Sequence, residues 1–454
     1  MPRSTIRLCG VAVCFLASLA SAEDWPTWRG PRGDGSSLEK GVPTKWSAQE
    51  NIAWQTQLPG LGHASPIVHG DHIFTVTCIT EGDEAGARKL LCLDRKTGKL
   101  LWAKTVLVSP LEHKHKLNSF ASSTPATDGK LVYVSFLDLA GEEASTDPKA
   151  AADAGANKAK NAGSIVNTIT RKGNEGSMFI AAYDYEGNRK WAVRPGVFSS
   201  VHGYCSSPVL YKDFVIINGD HDGPAYLVAL DKHTGKQIWK TPRENKTRSY
   251  CTPIIRDIGG RTQLLLSGSK CVASFNPDTG ERIWILDGPT EQYVASLVYN
   301  GELLFLTCGF PEEHVMGIRP DGSGNVTKSH VAWHHKTKDA AYVPSPIAAG
   351  DYFICPDDFG TVTCYVAKTG EMAWREKIAR HFSASTLLID GLVHITADEG
   401  LERSDKGVTF VIKPGPKLDV VAKNVLPEPV YASSAVSQGQ IFIRGEKTLW
   451  CVGK

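Results

Sequence analysis

The sequence has no CxxC, no CxxCH and no neighbouring pair of cysteines, which removes support for zinc-ribbon, c-type haem and CxxC redox classes. It also lacks a Gly-rich phosphate loop, a nucleophile elbow and an HExxH, so the common nucleotide, serine-hydrolase and zinc-protease signatures are missing. Past the amino-terminal stretch, no run approaches the roughly 20 apolar residues that a membrane span needs. Neither sign of charge is in excess. Taking Arg3 and Arg7 from the 50 Lys and Arg leaves 48, against 48 Asp and Glu. A chain near neutrality, with no basic stripe, is not a non-specific nucleic-acid binder.

Residues 1–22 have the layout of a secretory signal. Arg3 and Arg7 supply positive charge, Leu8 to Leu19 is mostly apolar, and Ala20-Ser21-Ala22 offers a small-residue cleavage site. Cleavage near Ala22 predicts a periplasmic or secreted chain with no membrane span. Cys14 lies inside the apolar stretch rather than directly after it, which argues against a lipid anchor. Eleven cysteines less Cys9 and Cys14 leave nine, an odd number in a compartment that permits disulfides. At least one is therefore expected to be free or paired outside the chain. Cys92 and Cys364 hold the repeat position filled elsewhere by Ala182, Ala229 and Ser274, the place of a small core residue.

What is abundant is repetition. Leu93-Asp94-Arg95-Lys96-Thr97-Gly98-Lys99-Leu100-Leu101-Trp102 returns as Leu230-Asp231-Lys232-His233-Thr234-Gly235-Lys236-Gln237-Ile238-Trp239, and the Gly-to-Trp offset recurs at Gly187/Trp191, Gly280/Trp284 and Gly370/Trp374. A second anchor, a Ser or Thr often followed by Pro, opens a short strand eight times. It occurs at Pro66, Pro125, Pro208, Pro253, Leu297, Pro346, Thr386 and Ala435, with spacings of 59, 83, 45, 44, 49, 40 and 49 residues. These approach the period of a four-stranded propeller blade. The long interval contains a segment at 141–177 rich in Ala, Lys, Asp, Gly and Asn, which reads as a solvated insertion between the second and third strands of blade 2.

The last blade runs out after its third strand, and Asn51-Ile52-Ala53-Trp54-Gln55 has the form of the missing fourth. The expected fold is all-β: an eight-bladed propeller of four-stranded antiparallel blades over residues 51–454, closed by an N-terminal strand and preceded by an arm at 23–50. Closure by that strand removes the free sheet edges of an open array. The repeated Trp residues are expected to dock neighbouring blades rather than to meet a ligand.

The Asp-x-x-Thr-Gly-x-x-x-Trp core resembles the pyrroloquinoline-quinone (PQQ)-type propeller repeat of quinoprotein alcohol dehydrogenases and of the propeller lipoprotein in outer-membrane barrel assembly. Asp24-Trp25-Pro26-x-x-Arg29-Gly30-Pro31, Asn118-Ser119-Phe120-Ala121-Ser122-Ser123-Thr124-Pro125 and Arg248-Ser249-Tyr250-Cys251-Thr252-Pro253 resemble exported bacterial propellers of this kind. The resemblance implies two functions. One is a non-catalytic envelope protein that binds or scaffolds a protein or glycan through one face, with no cofactor expected. The alternative is an oxidoreductase using PQQ with Ca2+. The chain departs from the quinoproteins in having no vicinal cysteines.

Propeller ligands enter at the channel mouth, where loops converge on the innermost strands. Just before the anchors stand Tyr204, Tyr293, Tyr342, Phe382 and Tyr431, with Phe120 and Tyr250 one position off. These rings make either a packed collar or an aromatic pocket for a sugar, quinone or peptide. His63, His115, Asn118, His202, Arg243, Arg248 and His381 lie near the same ends. If they converge, they form a cationic rim suited to a carboxylate or phosphate. Asn218-Gly219-Asp220-His221-Asp222-Gly223 reads as a hairpin turn rather than a calcium loop, His113-Lys114-His115-Lys116 as a solvated loop, and Arg32-Gly33-Asp34 as a chance tripeptide. No metal site is expected.

Overall fold

The Asp of each repeated turn closes the turn on its own downstream backbone: Asp94 Oδ1 accepts the Thr97 N–H, and Asp231 Oδ1 the Thr234 N–H, both at 2.8 Å. The glycine that follows is left-handed, with φ of 70° at Gly98 and 73° at Gly235. The computed structural model, which describes residues 23–140, 174–400 and 405–453, adds a second reason for it. A Cβ on Gly98 would lie 2.4 Å from Trp54, on Gly235 2.7 Å from Trp191, and on Gly370 2.5 Å from Trp333. Each of these indoles comes from the outer strand of the preceding blade. Each donates its N–H to a carbonyl of the same turn: Trp54 to Arg95, Trp191 to Lys232 and Trp333 to Ala367, all at 2.9 Å. Trp102, Trp239 and Trp374 bond Tyr185, Pro277 and Gly415 in the same way. Trp284 departs from the rule and donates to Gln263 in its own blade.

Eight four-stranded antiparallel sheets follow from this unit. In blade 1 the strands, lettered a to d from the channel outward, are Ile67–His69, His72–Cys78, Ala87–Asp94 and Leu100–Val108. Cys92 pairs with Trp102, Cys364 with Trp374 and Ala182 with Trp191, so the small residue and the indole sit opposite each other in strands c and d. The apolar clusters lie between blades, one joining Ile216 and Trp239 of blade 3 to Leu264 and Phe275 of blade 4 and to Leu304 of blade 5. Strand Ile52–Gln57 pairs antiparallel with Thr448–Val452 and completes blade 8, so the amino-terminal strand closes the ring. In blade 2, strand b is Leu131–Asp138 and strand c begins at Asn174, so residues 174–177 of the expected insertion belong to the sheet. The ladder continues the blade's pairing there, Ser177 lying opposite Asp138. The rest of the insertion, 141–173, and the expected signal at 1–22 lie outside the described residues.

Near the axis a second set of bonds links the blades. At six of the eight junctions the anchor N–H of one blade meets the anchor hydroxyl of the next: Ser65 to Thr124, Thr124 to Ser207, Thr252 to Ser296, Ser296 to Ser345, Ser345 to Ser385 and Ser385 to Ser433, all at 2.9–3.0 Å.

The arm crosses the channel on the side opposite the loops that enter strand a. Trp25 exchanges both backbone bonds with Val68 of blade 1, Ser36–Ser37 run parallel to Leu388–Ile389 of blade 7, and Glu39 accepts the Gln438 and Gly439 N–H groups of blade 8. Arg29 is buried at the centre, its Nη1 donating to Ser345 O and its Nη2 to Pro346 O. Arg32 serves the arm itself by donating to Glu23, while Asp34 accepts the Ser36 N–H and also pairs with Arg256 of blade 4 at 3.4 Å.

Gly370→Ala should cost about 2–4 kcal/mol, adding a left-handed penalty to a clash with Trp333. Gly350 has φ of 59° but nothing within 4 Å of its Cβ, so Gly350→Ala should lose only about 1–2 kcal/mol. Equal losses in urea denaturation would refute the inter-blade role of the turn glycine.

Candidate site at the channel mouth

The loops between strands d and a, together with the turns between b and c, end on one face and enclose a cavity of about 460 Å3 around the axis. Its floor is the hydroxyl belt, with Ser65, Thr124, Ser207, Ser345, Ser385 and Ser433 all reaching it. Trp28 of the arm closes the bottom. The same indole lines a second cavity of about 480 Å3 on the arm side, so it partitions the channel. Beneath it, burial pushes the Arg29 guanidinium down to about 10.

One arc of the wall is rich in nitrogen. His63 stacks on Tyr431, with centroids 4.5 Å apart and planes at 22°. His115 and His202 meet edge to face at 5.7 Å. Asn118 ties their loops together, donating from Nδ2 to the His202 carbonyl at 2.8 Å while its Oδ1 accepts the Ser119 N–H. Burial drives His63 down to about 3, with the positive charge of Arg444 acting in the same sense. His115 and His202 are also lowered, chiefly by burial. These rings are therefore neutral at pH 7. Arg248 is the one arginine in the lining, and its Nη1 donates to both Asp222 oxygens at 2.8 Å.

The opposite arc holds Tyr342, Phe310, Gln292 and Asp358. Asp358 sits in the b–c turn of blade 6 and accepts the backbone N–H groups of Tyr342, at 2.8 Å, and Val343, at 3.1 Å. Burial outweighs those bonds and raises its carboxyl to about 6. Phe310 is half exposed on the rim.

Of the expected residues, His63, His115, Asn118, His202, Arg248, Tyr250, Tyr342 and Tyr431 line the cavity. Tyr204, Tyr293, Phe382 and Arg243 do not. Tyr204 is buried and its hydroxyl meets Ser135. Tyr293 is fully buried and donates to Gly288 O at 2.7 Å, while Phe382 packs in the core shared by blades 6 and 7. These three rings form the collar, while Tyr250, Tyr342 and Tyr431 line the pocket. Arg243 is turned into the sheet, where its Nε meets Asp220 at 2.9 Å and its Nη2 meets Gly268 O. The expected cationic rim thus shrinks to a single arginine already matched by a carboxylate. Phe120 lies under Lys114, 5.2 Å from its Nζ, and His381 pairs with Asp398 at 2.9 Å.

Asp220 and Asp222 account for the acidic loop at 218–223, since each holds an arginine. His113 Nδ1 reaches Val201 O at 2.9 Å, which fixes the His-Lys-His-Lys loop to blade 3. All nine described cysteines are unbonded, Cys205 and Cys251 included. Cys205 lines the cavity, but burial pushes its thiol up to about 12, so it is not a thiolate nucleophile.

Trp28, Asp358, Phe310 and Gln292 were not anticipated. A signal for Asp358 existed: b–c turns share the face of the d–a loops, so an Asp in Asp357-Asp358-Phe359-Gly360 falls at the mouth.

The geometry defines a PQQ-like propeller with a walled axial pocket. The profile of the family described as outer membrane protein assembly factor BamB matches residues 40–241 and 180–296, and the chain belongs to that family. Among solved structures it resembles BamB from Moraxella catarrhalis, with a TM-score of 0.56 and 11% identity over 88% of this chain and 98% of that one. It also resembles the quinohemoprotein alcohol dehydrogenase ADHIIG from Pseudomonas putida HK5 (TM-score 0.48, 13% identity, 86% of this chain and 76% of that one). A europium-containing methanol dehydrogenase gives a TM-score of 0.49 and 12% identity over 93% of this chain and 89% of that one. Such identities speak to the fold alone. No curated protein matches the chain. No helix among the described residues is long and apolar enough to cross a membrane.

Because Asp358 holds its proton more tightly when folded, its contribution to stability falls as pH rises from 3.8 to about 6 and stays lost above that. Carbon-detected NMR of labelled aspartate should place its midpoint near 6; a midpoint in the ordinary carboxylate range, about 4, would contradict the burial argument.

Proposed function

We propose that this chain is an exported, non-catalytic propeller that binds a protein or glycan at the channel mouth, as a binding or scaffolding component of the cell envelope. The observation that carries the reading is the lining itself: aromatic faces and neutral donors surround a pocket in which both charged side chains are already held. Asp358 is its one carboxylate, so the paired carboxyl groups of glycoside hydrolysis are not furnished. Ser383, His381 and Asp398 have the composition of a hydrolytic triad but not its geometry. The Ser383 hydroxyl and the Asp398 carboxylate both approach His381 Nδ1, at 3.5 and 2.9 Å, so no ring nitrogen is positioned to take the serine proton.

The alternative, a PQQ-dependent oxidoreductase, asks this pocket to take a tricarboxylate quinone with a divalent cation. The donor set does not fit. Arg248 is matched by Asp222, Asp358 adds a negative charge to the wall, and among the described residues no three His, Cys, Asp or Glu side chains gather to hold a metal. Export is supported by the Arg3 to Ala22 signal pattern, and a protein partner by membership of a family described as an assembly factor.

The two readings separate on reconstitution. With PQQ and Ca2+ added, the protein should give no stoichiometric quinone spectrum and no dye reduction with alcohols or sugars. Stoichiometric binding with turnover would overturn the proposal.

A further inference from the structure

We infer that the ligand taken at the mouth is a neutral carbohydrate, its oxygens bonded by a ring of serine and threonine hydroxyls at the cavity floor. The inference rests on the reading of the mouth as a binding site and names the chemistry of its ligand. A hydroxyl has one proton to give and two lone pairs to accept with. Thr124, Ser207, Ser345, Ser385 and Ser433 each spend a lone pair on the N–H of the preceding blade. Among the described residues, none of the five donates its own proton to an acceptor in the chain. All five line the cavity. Because they come from blades arranged around one axis, their hydroxyls surround one cavity, and each can turn its proton to a ligand there. A ligand with several oxygen acceptors on one ring matches that arrangement.

The walls supply what else a sugar requires. Tyr431, stacked on His63, and Trp28 in the floor offer apolar faces for C–H surfaces. Asp358 lies across the cavity as an acceptor for sugar hydroxyls. Its Oδ2 takes the Tyr342 N–H and shares the Val343 N–H with Oδ1, which leaves Oδ1 a further lone pair. Charge decides against acidic sugars: Arg248 is matched by Asp222, and Asp358 would repel a uronate. An uncharged ring meets donors, an acceptor and aromatic faces with no unmatched charge.

The test is isothermal titration of the full chain with glucose, galactose, N-acetylglucosamine and maltose, beside the matching uronic acids and uncharged peptides. A neutral saccharide should bind, and its affinity should fall about tenfold or more in Ser345→Ala/Ser385→Ala, the loss of one to two hydrogen bonds. Those hydroxyls also join blades, so Tyr431→Leu, which leaves the belt intact, should weaken the same sugar by a similar factor. Melting curves establish that both variants are folded. Tighter binding of a uronate, binding of peptides alone, no saccharide binding, or equal affinity in all variants would overturn the carbohydrate assignment. Peptide binding alone would leave the binding-protein reading standing, whereas quinone-dependent turnover would end both.

Discussion

The structure depends on how eight blades are joined at the axis. The anchor N–H in strand a has no neighbour on its inner side, because strand a is the edge of its own sheet. An unpaired buried donor costs about 1–3 kcal/mol. The hydroxyl of the next blade answers it at six of the blade junctions, so Thr124, Ser296, Ser345 and Ser385 each use the backbone toward one neighbour and the side chain toward the other. This explains why the anchor is Ser or Thr rather than a small apolar residue. It also explains why the belt can be both a joint and a floor, since the bond that fixes each oxygen leaves its proton uncommitted.

The two remaining junctions use other devices. Between blades 8 and 1, the seam where the chain's ends meet, Arg444 is buried and donates Nη1 to Ala64 O, Thr75 Oγ1 and Val76 O. With no acid beside it, burial lowers its guanidinium to about 9. A charge placed there without a counter-ion is costly. It spans a seam that the hydroxyl relay does not cross and binds three oxygens of blade 1 in one step. Between blades 3 and 4, Asn218 Nδ2 reaches Cys251 O and Arg243 reaches Gly268 O. The arginines there and at the mouth are thus committed to structure.

The sequence made the repeat, the blade count and the ring closure legible because they rest on local chemistry. Asp, Gly and Trp at fixed offsets make a turn whose requirements do not depend on distant residues. The site was legible where position in the loop entering strand a determines depth in the channel, as for Tyr342 and Tyr431. Tyr204 and Tyr293 occupy equivalent sequence positions and turn into the blade interface, because a one-residue pleat or loop rotation decides which side of the wall a ring takes, and the spacing does not encode it. Arg243 was misplaced for a different reason. Its partner Asp220 is 23 residues away, in the turn between strands b and c of the same blade, and only the folded sheet brings the two together.

The arm is the largest element that periodicity could not reveal, since it has no repeat and little regular structure. Yet it turns a channel into a pocket. Arg29 pins it by donating to Ser345 O and Pro346 O, the carbonyls of the anchor in blade 6. Trp28, next in sequence, is thereby held across the channel between the two cavities. A guanidinium buried among carbonyls is a poor source of stability but a directional one, because its fork fixes where the adjacent indole stands. The floor of the site is therefore built from two distant parts of the chain: a belt that the repeated anchor supplies and a single Trp that the repeat does not contain. A ligand held there touches both, so its recognition depends on the arm being seated as much as on the blades being closed.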